Sequence, residues 1–144
     1  MPTKPMRSAV LMCDIDRFKA INDQFGHEFG DKVLVEISDA IRAFSEENGF
    51  LVGRMGGEEF AALMINVTTE QAVQHANALR RICAATEISS DEASAHVTVS
   101  IGISSADRDK GLSEMMRLAD QALYKAKNSG RNRVAIADTS ASAA

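Results

Sequence analysis

The chain has 144 residues, 45% of them hydrophobic and 25% charged, which suits one domain with a real core. A net charge of −4 speaks against gripping a nucleic-acid polymer, and no apolar run approaches the roughly 20 residues that cross a bilayer. Nothing reads as an export signal, so a cytoplasmic location is expected, with Cys13 and Cys83 as reduced, isolated core thiols. His27, His75 and His96 are too far apart in sequence to form a histidine metal site.

Met1 to Arg7 carries two prolines and is expected to be a tail, as are residues 138–144, leaving residues 8–137 as the domain. Ser8 to Cys13 is an apolar run ending in Asp14-Ile15-Asp16, the pattern of a buried central strand. Arg17 to Phe25 reads as a short helix broken at Gly26. Asp31 then opens a second helix, with Leu34, Ile37, Ile41 and Phe44 on one face, and Asn48-Gly49 stops it. Phe50 to Arg54, a tight turn over Met55 to Glu58, and Glu59 to Ile65 read as a hairpin. Thr68 with Gln71 is a capping-box pattern, opening a helix that buries Ala72, Ala76, Leu79 and Cys83.

Glu87 to Ala95 reads as loop. Val97, Val99, Ile101 and Ile103 alternate with Thr98, Ser100, Gly102 and Ser104, the pattern of a half-buried strand. Ser113 is expected to cap a last helix with Met115, Ala119, Ala122, Leu123 and Ala126 inward. Gly130 closes that helix, and Arg133 to Ile136 forms a final strand. The order β-α-α-β-β-α-β-α-β implies an α+β fold with helices packed on a sheet.

Two places carry chemistry. Asp14 and Asp16 are two apart in an extended segment, so both carboxylates should face one way, with the Ile15 carbonyl as a third hard oxygen. Gly56-Gly57-Glu58-Glu59 puts carboxylates at a hairpin tip, and Glu58 meets Asp14 if the two strands are neighbours. Converging acids of this kind suit magnesium, which leaves room for water and phosphates. Paired acids at a strand end are commonly solvated, and a Gly-Gly turn is commonly a plain hairpin. Neither motif alone indicates an enzyme.

Together they resemble a known family. Gly56-Gly57-Glu58-Glu59-Phe60 is the GGEEF form of the signature of GGDEF diguanylate cyclases. The stretch from Asp14 to Asp31 resembles the family's first block, and Val97 to Gly102 and Ala122 to Asn132 resemble later ones. The resemblance implies a palm-like nucleotidyl-cyclase fold of ferredoxin-like type, with a mostly antiparallel sheet. It also implies synthesis of cyclic di-GMP from two GTP across a homodimer. By that match, Asp14, the Ile15 carbonyl and Glu58 hold Mg2+ (or Mn2+), and Asp14, Glu58 and Glu59 are catalytic. Glu59 ligates metal or helps to deprotonate the ribose hydroxyl.

The same resemblance assigns Asn22 and Asp31 to the guanine base. Lys127 and Arg131 go to the triphosphate, with Phe18 and Lys19 nearby, and Phe18 and Leu34 also serve as lining of the base pocket or core. Arg54 matches a position that contributes to regulation in some members.

Two departures qualify the match. The family's inhibitory Arg-x-x-Asp motif is replaced by Glu47 and Phe50, so weak or no product inhibition is expected there. Only about seven residues precede the expected first strand in this sequence, too few for the family's usual leading helix with its Asp-x-Leu-Thr-Gly-Leu segment, which is therefore expected to be missing. Low activity is expected on that account. The competing reading is a non-catalytic GTP-binding module that fails to assemble a productive dimer.

Overall fold

The computed structural model describes residues 7–106 and 111–137. Both expected tails fall largely or wholly outside the described residues. The elements are β1 (Ser8–Ile15), α1 (Phe18–Phe25), α2 (His27–Asn48), β2 (Leu51–Gly56), β3 (Glu59–Ile65) and α3 (Thr69–Ala85). They continue with β4 (Ile88–Ser89), β5 (Ser94–Ala95), β6 (Val99–Ala106), α4 (Leu112–Asn128) and β7 (Val134–Ile136). Five strands form one sheet in the order β2-β3-β1-β6-β7, antiparallel except for the β6–β7 pair. This is an α+β, palm-like fold with a mixed sheet.

Alternation along β1 sends its side chains to two cores. Leu11, Cys13 and Ile15 join a large cluster with Val33, Ile37 and Ile41 of α2 and Ala72, Ala76 and Leu79 of α3. Val10 and Met12 join a smaller one with Met115, Ala119 and Leu123 of α4. The central strand is therefore buried on both sides, as its unbroken apolar run implies. Among the described residues no helix is long and apolar enough to cross a membrane.

Several expectations need correction. β6 is not half-buried: Val99 through Ser104 are all buried, because α3 covers one face and α4 the other. Gly102 is where α4 comes closest, and a Cβ there would lie 2.2 Å from both the Ala119 carbonyl oxygen and the Leu123 nitrogen. α2 opens at His27, one turn before Asp31, since Gly26 (φ 91°) alone separates it from α1. Val33 rather than Leu34 takes the inward place on α2, with Leu34 partly buried at its edge. Gly111 rather than Ser113 caps α4, and residues 88–95 hold a small two-stranded hairpin.

Other local readings match. Thr68 and Gln71 form the reciprocal capping box at the start of α3. Gly49 ends α2 in the left-handed region. Gly130, at φ 127°, follows the last turn of α4.

Candidate active site

The site lies where β1 ends beside the β2–β3 hairpin. β1 and β3 are neighbours, and Asp14 stands directly opposite Glu59. β2 extends to Gly56 by way of an irregularity between Arg54 and Gly56, so the turn proper is Gly57 and Glu58. Gly57 takes φ 52°, a left-handed backbone that a two-residue turn requires and glycine adopts without cost. The Glu58 carbonyl accepts the Ile15 N–H at 3.3 Å, which joins the hairpin tip to the end of β1.

Asp14 sits deep in this corner. Its Oδ2 lies 2.8 Å from Nζ of Lys127, in the last turn of α4. Its Oδ1 is buried and meets no donor among the described residues. Burial raises the Asp14 carboxyl above its ordinary range, Lys127 opposes the rise, and Glu58 and Asp16 add to it. Glu59 is raised too, by burial first and then by Asp120 and Asp14, with Lys127 again opposing. Negative charge thus accumulates here, and among the described residues Lys127 is the cation that offsets it. A buried carboxylate oxygen without a donor costs about 1–3 kcal/mol. A hard divalent cation satisfies such an oxygen, so the donor set of Asp14, the Ile15 carbonyl and Glu58 fits magnesium chemically.

Asp16 does not join Asp14. It lies in the turn after β1, buried, and accepts from Thr98 Oγ1 (2.7 Å), Ser100 Oγ (2.6 Å) and the Asn132 N–H (2.9 Å). Both its oxygens are occupied by protein donors, so although the two carboxylates were expected to face one way, Asp16 is committed to the protein and Asp14 is not.

The other candidates fall on two sides of this corner. Phe18 and Lys19 open α1, with Phe18 half-buried against the large core and Lys19 exposed. Asn22 of α1 is half-buried, and its side chain occupies the space beside Gly30 of α2, where a Cβ would lie 1.7 Å from its Oδ1. Asp31, the next residue, is exposed. Lys127 and Arg131 flank the end of α4, both half-buried, and among the described residues no carboxylate pairs with Arg131.

At the far end of β2, Glu47 is exposed on α2, while Phe50 is buried against Phe44 and His75. Arg54 is exposed and donates to the Gly57 carbonyl at 2.8 Å, bracing the hairpin.

The family profile described as "Diguanylate cyclase, GGDEF domain" matches residues 3–133. The chain belongs to the GGDEF family. It is 41% identical over 127 residues to a diguanylate cyclase of Vibrio cholerae, covering 88% of this chain and 39% of that protein. It spans about a third of the length of other curated relatives, such as diguanylate cyclase A of Treponema denticola. Among solved structures, the GGDEF domain of DgcB from Caulobacter crescentus in complex with c-di-GMP superposes with a TM-score of 0.85. That match has 28% identity and covers 92% of this chain and 78% of that one. The active GGEEF domain of a Vibrio cholerae diguanylate cyclase gives 0.81 at 36% identity, covering 92% and 84%.

Within this GGDEF domain, sequence reasoning missed Asp120, Gly30 and Asn132. Asp120 stands two helical turns before Lys127 on α4, a spacing that signals a shared face. Asn132 stood only as the last residue of a resembling block, and its role was not legible because its partners Asp16 and Arg80 are remote in sequence.

Proposed function

We propose that this domain condenses two GTP molecules into cyclic di-GMP, releasing two pyrophosphates. The observation that carries the reading is Asp14, whose Oδ1 is buried without a donor among the described residues while its Oδ2 meets the Lys127 ammonium and the Glu58 turn is tied to the next residue. Family membership and the curated relatives' activity support it.

Magnesium or manganese, bound by Asp14, the Ile15 carbonyl and Glu58, would supply charge neutralisation at the α-phosphate and a more acidic 3′-hydroxyl. The residues of the chain do the rest. Asn22 and Asp31 read the guanine edge, the acid accepting from the ring N–H and exocyclic amine. Phe18 lines the base side, and Lys19 stands near the phosphates. Lys127 and Arg131 hold the β- and γ-phosphates and stabilise the leaving pyrophosphate. Glu59 takes the proton of the attacking 3′-hydroxyl.

In each half-reaction the 3′-oxygen of one GTP bonds to the α-phosphorus of the other, and the bond to pyrophosphate breaks. One domain holds one GTP, so the product requires two copies facing each other. With Glu47 and Phe50 in place of the inhibitory motif, product inhibition at that corner is weak or absent.

Purified protein incubated at high concentration with GTP and magnesium, then analysed by chromatography, should yield cyclic di-GMP, and Glu58→Ala should abolish it. Full activity in that variant overturns the assignment. GTP binding without product in the unaltered protein favours the non-catalytic module instead.

A further inference from the structure

The loop after α4 is held far more firmly than a connection needs. Arg131 and Asn132 both take left-handed backbone, at φ 62° and 46°. Side-chain-bearing residues enter that region against a steric cost, and glycine would serve a plain connector better. Such conformations persist when their surroundings over-determine them, and they gather where function needs a preset geometry.

The surroundings here are specific. The Asn132 N–H donates to buried Asp16 Oδ2 at 2.9 Å, and Thr98 and Ser100 fix that carboxylate from β6 and its approach. The Asn132 side-chain oxygen accepts from Arg80 Nη1 of α3 at 3.1 Å, and Arg80 Nε is held by Asn77 at 3.2 Å. Arg133 Nε donates to the Arg131 carbonyl at 3.1 Å, and its guanidinium fills the space where a Cβ on Gly130 would stand. Arg131 is thus pinned through its own carbonyl and through its neighbour, while its guanidinium has no carboxylate partner among the described residues.

We propose that Asp16, Asn132 and Arg80 are positioning residues for the phosphate grip. They set the backbone from which Arg131 reaches the triphosphate before GTP arrives. The inference rests on the cyclase reading, in which Arg131 meets phosphate. A long, rotamer-rich side chain binds at lower entropic cost when its anchoring backbone is already fixed. None of the three is assigned a contact with substrate, so each acts through Arg131.

The test is a double-mutant cycle on the full chain, using Arg80→Met, which keeps the apolar stem. Initial rates of pyrophosphate release should show a KM for GTP raised roughly tenfold with kcat within about twofold, a coupling of the size that contacting residues show. The dissociation constant for a GTP analogue with a methylene between its α- and β-phosphates should rise in parallel. In an Arg131→Met background, Arg80→Met should add nothing. Asn132→Ala, which removes an exposed side chain and keeps the N–H to Asp16, should behave as Arg80→Met does. If Arg80→Met or Asn132→Ala leaves the affinity unchanged, or the two arginine substitutions are additive, the proposal is overturned and the clamp is only structural. Unaltered protein that binds neither GTP nor the analogue sinks the cyclase reading and this proposal with it.

Discussion

Lys127 Nζ, at the end of α4, stands 2.8 Å from Asp14 Oδ2, at the end of β1. The pair ties the end of α4 to the end of β1, and among the described residues Lys127 is the cation that offsets the charge burial makes costly on Asp14. Removing the lysine therefore does more than weaken the proposed phosphate contact. Lys127→Met should lower stability by about 1–3 kcal/mol, the cost of leaving a mostly buried carboxylate unpaired. Urea unfolding should show that loss, and added magnesium should restore part of it. An Asp14→Asn, Lys127→Met double variant should be more stable than Lys127→Met alone; if it is less stable, the pair is not the cause.

Gly30 separates stability from recognition. An alanine Cβ there would collide with Asn22 Oδ1, the tip of a side chain that can swing away. Alanine also favours the helix by up to about 1 kcal/mol. Gly30→Ala should melt at the same temperature as the unaltered protein, or slightly higher. It should bind GTP roughly tenfold more weakly, the scale of one lost hydrogen bond to a polar edge. Unchanged affinity by calorimetry would remove Asn22 from the guanine site.

The α2–β2 corner should be silent toward product. Phe50 is buried between Phe44 and His75, and Glu47 adds negative charge where a phosphodiester would need a cation. In a Glu58→Ala background, titration with cyclic di-GMP should give no tight binding. A submicromolar site there would contradict the expectation.

Gly102 allows no side chain, because its Cβ would meet the α4 backbone rather than a movable group. Gly102→Ala should cost about 1–3 kcal/mol or more, as overpacking does. It should also weaken GTP binding, since α4 carries Lys127. Denaturant titration showing no loss would mean that α4 can ride outward freely.

The thiols give a pH dependence. Burial pushes the Cys83 thiol up to about 12, and burial is also the main cause of the rise at Cys13. The folded state thus favours the protonated thiol. For Cys83 the stability this gives is complete below the unfolded value near 9 and falls as pH climbs toward 12, by about 1.4 kcal/mol per unit, and Cys13 acts in the same direction. Cys83→Ala should flatten that decline in unfolding experiments. Both thiols should resist maleimide at pH 8 until the protein unfolds.

Much of this architecture was legible in the sequence, because local chemistry dictated it. The apolar run to Ile15, the glycines before Glu58 and the Thr68–Gln71 box each specify one geometry. The misreadings arose where distant residues decide. Serines and a glycine made β6 look half-exposed, yet Ser100 is buried because its hydroxyl donates to Asp16, and Gly102 is small because α4 lies upon it. Asp16 was expected to face the same way as Asp14, but its hydroxyl partners Thr98 and Ser100 come 82 and 84 residues later. Gly26 broke a helix as expected, but one residue sufficed to start the next, so Asp31 lies inside α2 rather than at its start.

The Asp16–Asn132 bond spans 116 residues and seals the end of the first strand to the loop before the last. A growing polypeptide would expose the carboxylates early and acquire the arginine and lysine only when almost the whole domain had emerged. On the proposed function, triphosphate capture would then be among the last properties to appear during synthesis. Nucleotide affinity would accordingly serve as a gauge of completed folding, at a stage when helix content alone would already look native.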